Sequence, residues 1–154
     1  ILRTVARELE PAMTKKSLAL KTDIPEEKVL VWGDSAKLQQ VFSNLIDNSL
    51  KYTPSGSISA SLHVDTQRNV AVIKISDTGV GMSKETKEKI FDKFVRGENA
   101  SEVNKGGAGL GLFVARTFVQ AHKGTISADS AGVGKGTTFT IEYPLYTGAE
   151  KTTA

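Results

Sequence analysis

The sequence predicts an α+β two-layer sandwich, because helical and strand periodicities mix in it without the regular strand–helix–strand alternation of a parallel sheet. Three observations carry this. An apolar stripe at helical spacing, Leu38, Val41, Phe42, Leu45 and Ile46, lies between Asp34 and Pro54. An alternating run through Ile58, Ala60, Leu62 and Val64 is joined by a polar turn at 66–69 to a second run over 70–76. A further helix, 109–122, leads into strands at 125–130 and 137–143 linked by Gly132, Gly134 and Gly136.

The elements follow in order. Leu2, Val5, Leu9 and Met13 fall at helical spacing, with Pro11 predicting a kink or an early end. Residues 17–23 set Leu18 and Leu20 against polar neighbours as a strand would. Residues 29–32 read as a short apolar strand, with Trp32, the single tryptophan, in the core. Asp34 is a good N-cap for a helix reaching Tyr52, which Pro54 and Gly56 stop. After the hairpin comes a short helix over 83–91, then a polar stretch, 96–105, without a core pattern. Gly124 ends the next helix. Residues 1–145 are expected to form one domain, with 146–154 a flexible tail. There is no internal repeat and no low-complexity segment.

Composition narrows the function classes. A chain of 154 residues is long enough to bury a core of its own, and 39% hydrophobic with 24% charged residues is near the globular average and unlike a disordered chain. The absence of cysteine excludes disulfides, thiolate metal sites and thiol nucleophiles, and fits a reducing compartment. No run approaches the roughly eighteen apolar residues of a membrane span, and no signal peptide opens the chain, so a cytoplasmic domain without direct membrane contact is expected. A net charge of +3 is small and dispersed; Lys15, Lys16 and the lysines between Lys84 and Lys89 read as solvated helix faces, and no nucleic-acid partner is expected. The start at Ile1, already in amphipathic rhythm and without methionine, predicts a piece of a longer chain.

The candidate chemistry lies in three places. Asn44, Asn48 and Lys51 sit at i, i+4 and i+7 on one face of the long helix, where paired asparagines gain the helix nothing. Their amide oxygens suit a Mg²⁺ already held by phosphates, and Lys51 could offset phosphate charge; a solvated polar face is the alternative. Asp77 stands where an apolar strand enters a turn containing Gly79, Gly81 and Met82. A carboxylate there can accept from an exocyclic amine such as adenine's while the glycines let the backbone pass close to a flat base; a self-capped turn is the alternative. Gly106, Gly107, Gly109 and Gly111 precede a helix, so bare amides and the helix N-terminus offer a seat for phosphate. Glycines cost roughly 0.5–1 kcal/mol each relative to alanine, so such clusters need a reason. Tight turns account for either cluster taken alone. No Gly-Lys-Ser/Thr follows and no strand precedes the second cluster, which excludes the P-loop and the dinucleotide fingerprint. Residues 96–105 would suit a lid ordering over a bound nucleotide.

Taken together and in this order, four groups resemble the N, G1, F and G2 boxes of sensor histidine kinases. They are Asn44, Asn48, Lys51 and Tyr52; then Asp77, Gly79, Gly81 and Met82; then Ile90, Phe91 and Phe94; then Gly107, Gly109, Leu110, Gly111 and Leu112. Gly136, Thr138 and Phe139 resemble the closing strand, so the resemblance spans residues 1 to about 145. It implies the ATP-binding sandwich shared with gyrase, the MutL repair protein and the ninety-kilodalton heat-shock chaperone: a mixed, mostly antiparallel sheet covered on one face by about three helices, with a mobile lid. It further implies Asp77 on the adenine amine, Tyr52 against the base, Asn44 and Asn48 towards Mg²⁺, Lys51 near phosphate and Phe91 and Phe94 anchoring the lid. Thr138 joins the glycines, Leu110 and Leu112 in the implied nucleotide site.

The family's phosphate acceptor, a histidine followed by an acidic residue on a separate helical hairpin, is missing. His63 lies on the polar face of a strand, and His122 ends a helix where a partly charged imidazole suits the dipole. The resemblance therefore implies the ATP-binding catalytic half of a protein-histidine kinase. As an isolated domain it is expected to be monomeric, binding ATP or ADP and serving the dimerisation and phosphoacceptor hairpin, with a response regulator downstream. A gyrase- or MutL-type ATPase is the alternative, followed by a binding module without chemistry and by a serine kinase acting on a regulator protein. Related ATPases carry a glutamate one turn before the magnesium asparagine; here that position is Asn44, and a neutral amide is no base for water.

Overall fold

The computed structural model describes residues 1–95 and 108–148. Within them, α1 spans Leu2–Lys15, β1 Ala19–Asp23, α2 Ser35–Tyr52, β2 Ser57–Asp65, β3 Val70–Asp77, α3 Lys84–Lys89, α4 Gly111–Ala121, β4 Thr125–Asp129 and β5 Thr137–Pro144. The strands make one sheet in the order β1-β2-β3-β5-β4. β1 pairs with β2 in parallel and every other pairing is antiparallel, which gives the mixed, mostly antiparallel sheet expected of the α+β sandwich.

Register decides which face is core. Ala60 pairs with Ile75, Ile75 with Phe139, Ile73 with Ile141 and Ala71 with Tyr143, so one face of the three central strands is apolar and buried. Against it pack Val5 and Met13 of α1, Val41, Leu45 and Ile46 of α2, and Ala115 and Val119 of α4, all fully buried. Each large aliphatic or aromatic side chain in this layer contributes about 1.5–3 kcal/mol by leaving water. Asp34 caps α2 as its position predicts, its Oδ1 accepting from the amides of Ala36 at 2.9 Å and Lys37 at 3.1 Å. Those bonds, the Lys37 one foremost, hold its carboxyl below the usual aspartate range.

Three details differ from expectation. α1 continues through Pro11, because Pro11 and Arg7, whose carbonyl loses its donor, both face water, while Met13 anchors the last turn in the core. Residues 29–32 contribute one bridge, Val31 to Leu145, rather than a strand. Alternation then turns Val29 and Val31 inward and Leu30 and Trp32 outward, leaving Trp32 65% exposed instead of in the core. Its ring meets that of Tyr146 at 6.1 Å, and Tyr146 N donates to Leu30 O at 2.9 Å. These two contacts set Tyr146 against the 30–32 segment; residues 149–154 lie outside the described residues.

Candidate nucleotide site

α2 and the C-terminal end of β3 meet at Asp77. Its Oδ1 accepts from Gly79 N at 2.9 Å and from Thr137 N at 3.2 Å, and its Oδ2 accepts from Ser49 Oγ at 3.0 Å. Burial pushes this carboxyl above the ordinary aspartate range, and the bonds from Gly79, Ser49 and Thr137 pull against that. The result is a fixed acceptor with lone-pair capacity left on Oδ2. The turn that follows presses on the end of α2: Val80 N donates to the Tyr52 carbonyl at 3.0 Å, and a Cβ on Gly79 would collide with that same oxygen. Gly81, at φ +62°, takes a left-handed conformation against Gly132. Tyr52 is half-buried beside them.

Further along α2 the polar face meets the start of α4. Asn44 Nδ2 donates to Gly111 O at 3.0 Å, while Gln40 Nε2 donates to Asn44 Oδ1 at 2.9 Å. Asn48 is half-buried, and its amide has no hydrogen bond among the described residues. Lys51 is ion-paired with Asp47 one turn back. α4 begins at Leu110 and Gly111 with no side-chain cap, so its first amides are open to an anion. Gly109, at φ +67°, gives its carbonyl to Phe94 N at 3.0 Å.

Some expected members stand elsewhere. Thr138 faces the opposite side of the sheet from Asp77, its hydroxyl 2.9 Å from Ser76 Oγ. Thr137, which pairs with Asp77, is the residue on the site's face, because side chains alternate along β5. Leu112 is buried among the core side chains, so only its backbone amide belongs to the mouth of α4. Phe91 packs edge-on to Phe139 with ring centroids 6.4 Å apart, whereas Phe94 is 71% exposed while its amide donates to Gly109 O. Gly106, Gly107 and the expected lid, 96–105, lie outside the described residues.

Ser49 and Gln40 escaped the sequence reading. Ser49 was detectable, since it sits four residues past Leu45 on a buried stripe, and a buried hydroxyl needs a partner. Neither histidine is placed for chemistry. His63 is exposed on β2, and His122 Nε2 accepts from Asp34 N at 3.0 Å while Nδ1 donates to Phe118 O at 2.6 Å. Both ring nitrogens are thereby engaged in holding the end of this helix against the start of α2. Among the described residues no three His, Cys, Asp or Glu side chains gather into a metal cage. A cation at Asn44 and Asn48 would share hard, neutral amide oxygens with phosphate oxygens. Asn48 is free to offer one, and Asn44 Oδ1 keeps its second lone pair; both fit Mg²⁺.

Residues 33–147 match the family described as histidine kinase-, DNA gyrase B- and HSP90-like ATPase. The chain is 42% identical over 123 residues to the sensor histidine kinase WalK of Bacillus subtilis (strain 168), a match covering 79% of this chain and 20% of that relative's length. Among solved structures it resembles the mycobacterial sensor histidine kinase MprB, at 26% identity and TM-score 0.80, covering 93% of this chain and 94% of that one. Full-length ShkA, solved in complex with AMPPNP, shares the fold at 24% identity and TM-score 0.79, over 94% of this chain and 29% of that one.

Proposed function

Because this chain belongs to the histidine kinase-, DNA gyrase B- and HSP90-like ATPase family, we propose that it binds Mg·ATP and donates the γ-phosphoryl group to a histidine on a separate helical hairpin. The hairpin would also dimerise the parent kinase, with a response regulator downstream. In this reading residues 1–145 form the catalytic ATP-binding domain, monomeric in isolation and working inside the cytoplasm.

The observation that carries the reading is the Asp77 carboxylate, held by Gly79, Thr137 and Ser49 with acceptor capacity to spare. An adenine amine can donate to it, whereas the guanine carbonyl at the equivalent position would repel it. Tyr52 and the Gly79–Gly81 turn flank the base, and the open amides of α4 receive phosphate. Asn44 and Asn48 would hold Mg²⁺, and Mg²⁺, when bound, neutralises phosphate charge. Lys51 leaves Asp47 for phosphate at modest cost, since an exposed ion pair contributes only about 0–1 kcal/mol.

Asn44 also argues for transfer over hydrolysis. It is a neutral amide tied to Gln40 and Gly111, with no proton-accepting carboxylate at the position where the related ATPases carry one. Phosphoryl transfer depends mostly on alignment and electrostatic support, so bound nucleotide waits for an aligned imidazole. The test is calorimetric titration with ATP and GTP, followed by incubation with radiolabelled ATP with and without a cognate hairpin. Preference for ATP and label on the hairpin alone support the reading. Steady phosphate release by the lone chain, or acid-labile label on His63 or His122, overturns it.

A further inference from the structure

The turn between β4 and β5 contributes no side chain to this site, yet three hydrogen bonds join it to the loop after Asp77. Gly136 N donates to Gly79 O at 3.0 Å, Gly134 N to Val80 O at 2.6 Å, and Met82 N to Ser130 Oγ at 3.2 Å. Ser130 is the centre of the arrangement. Its hydroxyl also lies 2.7 Å from Gly136 O, 3.1 Å from Gly132 O and 3.3 Å from Gly132 N.

A hydroxyl has one proton and two lone pairs. The proton goes to Gly136 O, the closest acceptor, and the lone pairs receive Met82 N and Gly132 N. One half-buried side chain thus closes the turn on itself and holds the far end of the base-side loop. The next amide along, Thr137 N, is the one that fixes Asp77 Oδ1.

We infer that Ser130 is a positioning residue for base recognition, buckling residues 130–136 onto residues 79–82 so that Asp77 and the Gly79–Gly81 turn present a preset edge to adenine. The inference rests on the adenine-nucleotide reading above. Without the hydroxyl, Met82 N and Gly136 O lose their partner together. The turn has little stiffness of its own, since Gly132, Gly134 and Gly136 all take positive φ. An edge that must be ordered at each binding event reads the base less sharply than one ordered beforehand.

The experiment compares the chain with Ser130→Ala and Ser130→Thr by calorimetric titration with Mg·ATP and Mg·GTP, thermal unfolding, and amide exchange. Ser130→Ala should weaken ATP binding about five- to twentyfold and shrink the ATP-over-GTP preference by a similar factor. Ser130→Thr, which keeps the hydroxyl, should restore both. The amides of Met82, Gly134 and Gly136 should exchange slowly in the wild type and faster in Ser130→Ala. A lowered melting temperature with the ATP-over-GTP ratio unchanged would reduce Ser130 to a stability role and overturn the inference. Fast exchange of those three amides in the wild type would overturn it too, even if the alanine variant fails to fold. A wild type that binds GTP as well as ATP overturns the adenine reading itself, and this inference with it.

Discussion

Ser49, in the middle of the buried stripe of α2, donates its hydroxyl across 3.0 Å to Oδ2 of Asp77 at the end of β3. The bond joins the helix that carries the asparagines to the strand that carries the base acceptor, so the two halves of the site are registered through one pair of side chains.

Ser49→Ala should therefore weaken ATP binding about three- to tenfold, part of the roughly ten- to hundredfold of one hydrogen bond to a charged group, because Ser49 acts through Asp77 and not on the nucleotide. The Ser49 bond lowers the Asp77 pKa, so its loss lets burial push that carboxyl higher still. Acid loss of ATP binding should move to higher pH in the variant. Titrations from about pH 4 upward, starting at the ordinary aspartate value near 3.9, detect the displacement. Superimposable pH profiles would separate Ser49 from Asp77.

Asp77→Asn should abolish adenine preference while leaving the fold slightly more stable at neutral pH. The sign follows from the raised pKa: the native state binds the Asp77 proton more tightly than the unfolded chain does. The contribution of Asp77 is full below the unfolded value and is lost as pH rises through the folded one. The asparagine variant carries no such loss, so its melting temperature should exceed the wild type's at neutral pH. The gap should close towards about pH 4, where the unfolded aspartate also protonates. A variant less stable than wild type at pH 7 would count against the burial cost.

Tyr143→Phe should stabilise the protein. The Tyr143 hydroxyl is buried without a hydrogen-bond partner among the described residues, and burial pushes its ionisation well up. An unsatisfied buried hydroxyl costs about 1–3 kcal/mol, and for a domain of this size each kcal/mol shifts the melting temperature by about 2–4 °C. Thermal unfolding of the two proteins in the same buffer decides the matter. A fall in melting temperature would mean that the hydroxyl has a partner.

Asn48→Ala should remove most of the Mg²⁺-dependent gain in ATP affinity and leave affinity in chelator nearly unchanged. Its half-buried amide makes no hydrogen bond within the described protein, so the fold should lose no more than about 0.5 kcal/mol. Titrations with Mg²⁺ and with chelator separate the two effects, and labelling of a supplied hairpin should fall with the Mg²⁺-dependent part. Equal loss of ATP affinity with and without Mg²⁺ would place Asn48 on the nucleotide rather than the cation.

Local chemistry was enough to read most elements. The Asp34 cap, the stripe through Leu38, Val41 and Leu45, and the alternation through Ile58 and Ala60 each act over a few residues, and all three stand in the structure. Asp77 before two glycines was legible for the same reason: an acceptor at a strand end beside bare backbone is a property of adjacent residues. Only the tertiary structure decided the rest. Thr137 and not Thr138 faces the site because the β3–β5 register sets which parity of β5 points at the helices. Trp32 stands in water because the Val31–Leu145 bridge turns its neighbours inward. Ser49 to Asp77, Asn44 to Gly111 and Ser130 to Met82 are contacts across 28, 67 and 48 positions. The local periodicity of each segment carries no record of its partner, which is fixed when packing brings the two elements to one distance and orientation.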